Sequence, residues 1–374
     1  MVPNGWSLVK LGDVLTLGSG DTKPTDLQKE LSDDSPYPVY GGNNIMGYSS
    51  QKNSSDSVIL IGRVGEYCGV TRYIDKACWI TDNALYTKSV SSDIDKEYLV
   101  SKLKKFDLSR LRNKGGQPLV SQKPIYAVKL PMPPLPEQRK IVKILSTWDK
   151  AINTTEKLIE TSKQQKKALM QQLLTGKKRF KDENDNIFPS WTSESIGQYL
   201  VPYKELVPVN TDIPVLTSSR TGLYVQERSV INEGDYGVLP LGYFTYRHMS
   251  DDLIFKFNVN RTWKRGAVSK EYPVFKTVGL DSYFLESQLN EGSDFKQFAI
   301  QQKQGGTRTR LYFKNLKELK LNLPCLAEQQ KIASVLISAD KEIEALKAKL
   351  DHFKQEKKAL MQQLLTGKRR VNVE

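Results

Sequence analysis

"KKALMQQLLTGK", residues 166–177, occurs again letter for letter at 357–368. The two stretches are copies, and their offset of 191 residues tests the rest of the chain for a repeat. Upstream, "EQRKI" at 137–141 falls on "EQQKI" at 328–332, Leu130 on Leu321 and Asp149 on Asp340. "NKGGQ" at 113–117 lies one residue off register from "KQGGT" at 303–307, and "PNGWSLVKLGDVL" at 3–15 resembles "PSWTSESIGQYLV" at 189–201. Two copies are too few for a solenoid, so the sequence predicts an internal pseudo-twofold repeat. The ends of the two copies match; their middles, 20–110 and 200–300, hardly do. A common frame carrying two different readers has this pattern.

The repeated word closes a heptad seam. Ile141, Leu145, Trp148, Ile152, Thr155, Ile159, Ser162, Lys166, Leu169 and Leu173 step alternately by four and three. The second copy supplies Ile332, Leu336, Ala339, Ile343, Leu346, Leu350, Phe353, Lys357, Leu360 and Leu364. Such a seam predicts a long coiled-coil helix in each copy. The start signals are Pro136 before Glu137-Gln138, and "CLAEQ" at 325–329; the stop signals are Gly176 and Gly367 at the position after the cap. A lone helix of this kind exposes its seam, whereas two copies in one chain bury theirs together, favoured by the high effective concentration of a tethered partner. Lys166 and Lys357, polar residues on the seam, are candidates for fixing register.

The stretches between the helices predict mixed domains of short strands and a few helices. Strand-like runs are "SVILIGR" (57–63), "ACWITDNALYT" (77–87) and "YAVKLPMP" (126–133), with a helix near 95–113. The second copy offers "GDYGVLPLGYFTY", "DLIFKFN", a helix around 292–303 and "LKLNLP". Polar and basic residues gather on glycine-flanked loops: Asn43 and Asn44, Arg63, Arg72, Lys114 and Gln117 in the first copy; Ser219, Arg220, Tyr243, Tyr246, Arg247, Arg308 and Arg310 in the second. Arginine can read guanine, and asparagine or glutamine adenine, through paired hydrogen bonds.

Composition points the same way. The net charge is +14 and the isoelectric point about 9.4, a surplus that calls for a polyanionic partner, with nucleic acid first. Cys68, Cys78 and Cys325 form no disulfide framework, and His248 and His352 lie at no metal-ligand spacing. No phosphate-loop motif, dinucleotide fingerprint, methyltransferase Asn/Asp-Pro-Pro-aromatic run or nuclease acidic centre is present. No apolar stretch reaches the roughly 20 residues of a membrane span, and the N-terminus lacks a signal pattern, so a soluble, cytoplasmic, non-catalytic binding protein is expected.

The order of variable domain, "PLPEQRKIV" helix, variable domain and "CLAEQQKIA" helix, with the duplicated LMQQLLTGK word, resembles the specificity subunits of type I restriction–modification enzymes over the whole chain. The resemblance implies an α+β fold: two target recognition domains, 1–134 and 178–324, separated by two long antiparallel coiled-coil helices, 135–177 and 325–374, the latter with a basic tail. It implies recognition of a bipartite, asymmetric site in double-stranded DNA and docking of two modification (methyltransferase) subunits. Restriction subunits are a further implied partner. It implies no cofactor on this chain, S-adenosylmethionine on the methyltransferase partner, and ATP and Mg on the restriction partner. The residues alone leave open a free-standing sequence-specific DNA-binding protein and a coiled-coil scaffold that binds no DNA. The family resemblance also implies that the repeated word presents the same surface to two identical partner subunits.

Overall fold

The computed structural model describes residues 2–113, 115–227, 234–303 and 308–373. It divides into two units, one of residues 1–156 with 349–374 and the other of residues 157–348. Two 39-residue helices, Leu135–Leu173 and Leu326–Leu364, cross the division between them. No helix among the described residues is long and apolar enough to cross a membrane.

All twenty seam positions are buried or half-buried. Within the first unit the helices run antiparallel. Trp148 meets Phe353 edge-to-face at 5.6 Å, Asp149 pairs with Lys357, and Glu156 with Lys354 at 2.8 Å. In the second unit Lys166 pairs with Asp340, and Ser162 reaches Glu342 at 3.5 Å. The two seam lysines thus make the same ion pair twice, each with the aspartate of the other copy. This supplies the register device expected at those positions. Gly176 and Gly367 stop the helices with φ of +69° and +68°, the left-handed conformation that glycine adopts without a Cβ clash.

Each unit is built to one plan. In the first, Ser7–Lys10 pairs antiparallel with Lys129–Met132 at the foot of the first long helix; in the second, Thr192–Ser195 pairs with Lys320–Leu323 at the foot of the other. Each unit has an antiparallel four-stranded sheet. The first runs Leu15–Ser19, Ala84–Val90, Val58–Gly62, Thr71–Ile74; the second runs Leu200–Tyr203, Val274–Thr277, Phe244–Tyr246, Phe257–Val259. A helix docks against each, Lys96–Phe106 capped by Asp95 and Ser282–Glu291 capped by Asp281.

Local readings of the sequence held in part. The run at 77–87 breaks into Trp79–Ile80 and Ala84–Val90, because Asp82-Asn83 turns the chain, and Gln122–Ala127 is helical ahead of the strand Lys129–Met132. The helix expected near 292–303 is Ser293–Gln301, and a further helix, Ser282–Glu291, precedes it across Gly292. The alignment of 3–15 with 189–201 is one residue out, since Trp6 and Trp191 occupy matching places.

Those places explain the repeated word. Leu173 and Leu174 enter the core of the second unit with Ile332 and Leu336, and Leu364 and Leu365 enter the core of the first with Ile141 and Leu145. The word therefore completes a domain core. The surface role implied by the resemblance is corrected for Leu173, Leu174, Leu364 and Leu365, since buried apolar side chains cannot be offered to a partner. Beyond the word, Arg179 grips Glu328 with a two-pronged pair at 2.6 and 2.7 Å, and Trp191 donates its indole N–H to the same carboxylate. Arg370 grips Glu137 in the same way at 2.7 Å twice, with Trp6 as the indole donor. Gln138 and Gln329, the next residues, accept from the backbone N–H of Asp95 and Asp281 and donate to Pro133 and Pro324. Each glutamate lies in the first turn of a long helix, where the helix dipole also favours its charge.

One contact differs between the units. The carbonyl of Leu174 accepts from the Gln288 amide, while its counterpart on Leu365 accepts from the buried Lys102 ammonium. Burial holds the Lys102 pKa down at about 8. The charged form is therefore disfavoured in the folded chain relative to the unfolded one, and stability rises with pH between about 8 and the ordinary lysine value of 10.5. Lys102→Gln, copying the second unit, is expected to raise stability at pH 7 by on the order of 1–3 kcal/mol. The gain should fade as pH rises from 8 to 10.5, and chemical denaturation across that range measures it.

Candidate nucleic-acid interface

In the first unit the expected loops converge. Asn43 and Asn44 form the turn between Tyr37–Tyr40 and Ile45–Ser49, and Asn43 accepts from Arg72 Nη2 at 2.6 Å. Arg72 Nε is buried without a hydrogen-bond partner among the described residues. Gly42 and Gly62 pack backbone to backbone, and a Cβ on Gly62 would lie 2.5 Å from the Gly42 carbonyl. A side chain on Gly62 would push the Asn43 turn away from Arg63, which donates to Ser19 at 2.9 Å. Backbone bonds from Gly65 to Pro118 and from Val120 to Arg63 tie in the loop bearing exposed Gln117. Lys114 lies outside the described residues.

In the second unit Ser219 and Arg220 lie at the tip of the hairpin Leu216–Ser219/Gly222–Val225. Arg220 and Arg247 line one cavity of about 490 Å³, with Thr217, Tyr224 and Lys256. Arg308 and Arg310 adjoin it, because Thr309–Arg310 pairs with Met249–Ser250. Two of these arginines are held by acids that sequence reasoning missed. Arg220 pairs with Asp252 at 2.6 Å and Arg308 with Asp251 at 2.9 Å. Hydrogen bonding from the Ser250 hydroxyl, then from Arg220, holds the Asp252 carboxyl below its usual range. Arg247 and Arg310 are exposed and make no salt bridge among the described residues. The adjacent "DD" at 251–252, inside a basic loop cluster, was the available signal.

Two tyrosines depart from expectation. Tyr246 is fully buried, tilted against Phe257 and edge-on to Phe275, with its hydroxyl donating to Leu311 O at 3.1 Å, and burial drives its pKa upward. It is a core residue and cannot meet DNA, because strand alternation points it opposite to Arg247. Tyr243 is half-buried, its ring T-shaped against Tyr203 at 5.1 Å. The helix-pairing residues lie as described for the seam: Ile141, Leu145, Ile152, Leu173, Leu336, Ile343 and Leu364 are buried, and Trp148, Leu169, Leu346, Leu350, Phe353 and Leu360 half-buried.

A family profile described as "Type I restriction modification DNA specificity domain" matches residues 3–163 and 275–354. The chain belongs to that family. It is thus a DNA sequence-specificity subunit, a recognition component without catalytic activity of its own. The chain is 26% identical over 409 residues to the Type I restriction enzyme MjaVIII specificity subunit of Methanocaldococcus jannaschii, spanning 99% of this chain and 94% of that protein. It is 28% identical over 145 residues to the EcoprrI specificity subunit of Escherichia coli, covering 38% of this chain and 36% of that one. The crystal structure of a type I S subunit from M. genitalium superposes with a TM-score of 0.64 at 14% identity, over 97% of this chain and 99% of that one. That likeness concerns the fold.

The different settings of these side chains predict different losses. Tyr246→Phe should lower stability by about 1 kcal/mol and leave DNA affinity unchanged. Arg247→Ala should weaken binding to all sequences alike and reduce the salt-dependence slope by about one, in titrations of the assembled complex at several salt concentrations.

Proposed function

We propose that each unit reads one half of a split, asymmetric DNA site, with Asn43, Asn44, Arg63, Arg72, Lys114 and Gln117 in the first copy and Ser219, Arg220, Arg247, Arg308 and Arg310 in the second as its DNA-binding groups. In functional terms the recognition domains are 1–134 and 178–324, and the helical segments 135–177 and 325–374 hold them. The observation that carries this reading is the contrast between frame and loops: the same clasp and the same ion pair occur twice, while the Asn43–Asn44 turn of the first unit and the Ser219–Arg220 hairpin of the second carry different side chains. A duplicated frame with unlike loops suits two identical partners acting on two unlike half-sites.

Those partners are two modification subunits that bind S-adenosylmethionine and methylate adenine, which must leave the base stack to react. Restriction subunits using ATP and Mg join the same assembly, and the complex works in the cytoplasm. Net charge of +14 supplies the sequence-independent attraction to the duplex.

Exchanging residues 20–110 for those of a relative with another target should change one half of the methylated motif and preserve the other. Methylome sequencing of cells expressing the complex reads this directly. A change in both halves would contradict independent reading.

A further inference from the structure

The geometry points to Arg220 as a reader of a guanine edge in the second half-site, held in its reading orientation by Asp252. This rests on the proposed DNA-reading role of the second unit and names the base and the positioning residue. Arg220 sits in a two-residue hairpin loop that is fixed on several sides. The buried Asn258 donates to Ser218 Oγ at 2.9 Å and to Ser219 O at 3.0 Å. Ser219 Oγ accepts from Thr221 N at 3.1 Å and lies 2.9 Å from the Thr221 hydroxyl. Opposite the loop, Asp252 Oδ1 accepts from Arg220 Nη2, from Ser250 Oγ at 2.9 Å and from Ile254 N at 3.3 Å. Leu253 between them has a φ of +65°, a left-handed conformation unfavourable for leucine, and so the turn is held against a local cost.

A phosphate contact needs none of this. An exposed cation serves a diffuse anion well, and Arg247 and Arg310 are such charges nearby. The Arg220–Asp252 pair is close to neutral as a unit. Its carboxylate repels phosphate, and little counterion release is gained on contact. A neutral base edge meets no such repulsion. Asp252 takes one N–H of Nη2, which leaves the second Nη2 proton, Nε–H and the Nη1 protons for a two-pronged contact with the O6 and N7 acceptors of guanine. Pre-aligning that fork removes the rotamer freedom an exposed arginine otherwise loses on binding.

Arg220→Lys, Arg220→Ala, Asp252→Asn and Arg247→Ala are to be compared in the complex assembled with its modification subunits. Two readouts are needed: the methylated consensus from genomic sequencing, and affinity for a 40-base-pair duplex lacking that consensus. Arg220→Lys keeps the charge but loses the fork, and should relax a single G·C position of the second half-site by roughly 5- to 100-fold. Asp252→Asn should relax the same position while raising affinity for the non-consensus duplex, which a purely structural role would not do. Full specificity in Arg220→Lys, or an unchanged consensus in Asp252→Asn while Arg247→Ala still weakens binding, overturns the guanine assignment alone. No effect from Arg220→Ala and Arg247→Ala together overturns the DNA-reading role of these loops, and the assignment with it.

Discussion

A buried glutamate at the start of each long helix is the constraint from which the rest of the architecture follows. Glu328 is fully buried and Glu137 nearly so. A carboxylate there is tolerable only with its charge matched and its oxygens bonded. Arginine forks from beyond the repeated word supply the match, at Arg179 for Glu328 and Arg370 for Glu137. Removing one partner of such a pair typically costs about 3–5 kcal/mol, because the other is left buried and uncompensated. Each unit is therefore complete only when it holds the end of a helix that begins in the other copy of the repeat.

This reciprocity accounts for the uneven similarity along the chain. Glutamate, glutamine, the Leu-Leu pair, the stop glycine and the arginine form one linked set. Loss of the glutamate or the arginine leaves an unpaired charge on a partner more than a hundred residues away in sequence, and loss of a leucine leaves an unfilled core position. The sheets above have looser obligations. They must present a docking edge for the strand pairs at 7–10 with 129–132 and 192–195 with 320–323, and a helix N-terminus for the glutamine to hold. Their loops are free to differ, and among the described residues no salt bridge like that of Arg220 with Asp252 joins the loops of the first unit.

The frame was largely legible in the sequence. The repeat, the two helices, the seam and the stop glycines each rest on local signals: a period, a proline before Glu-Gln, a glycine. The clasp was not legible. Trp6 and Glu137 lie 131 residues apart and Arg370 and Glu137 233 apart, and no periodicity links them. Glu137 and Glu328 read as ordinary acidic first turns, although a helix start that repeats Glu-Gln in both copies was a clue. At the candidate interface, Tyr246 belongs to the run that carries Arg247, but strand alternation turns it inward. The carboxylates on Arg220 and Arg308 escaped notice because charge was counted rather than paired.

Hydrogen exchange on the intact chain, comparing Glu328→Ala with Glu137→Ala, tests the reciprocal closure most directly. Glu328→Ala should deprotect residues 174–182 and the helix Ser282–Glu291, leaving residues 365–371 and the helix Lys96–Phe106 protected. Glu137→Ala should show the reverse pattern. Loss of protection confined to the helix that carries each mutation, with both helix ends as slow to exchange as before, would contradict the account.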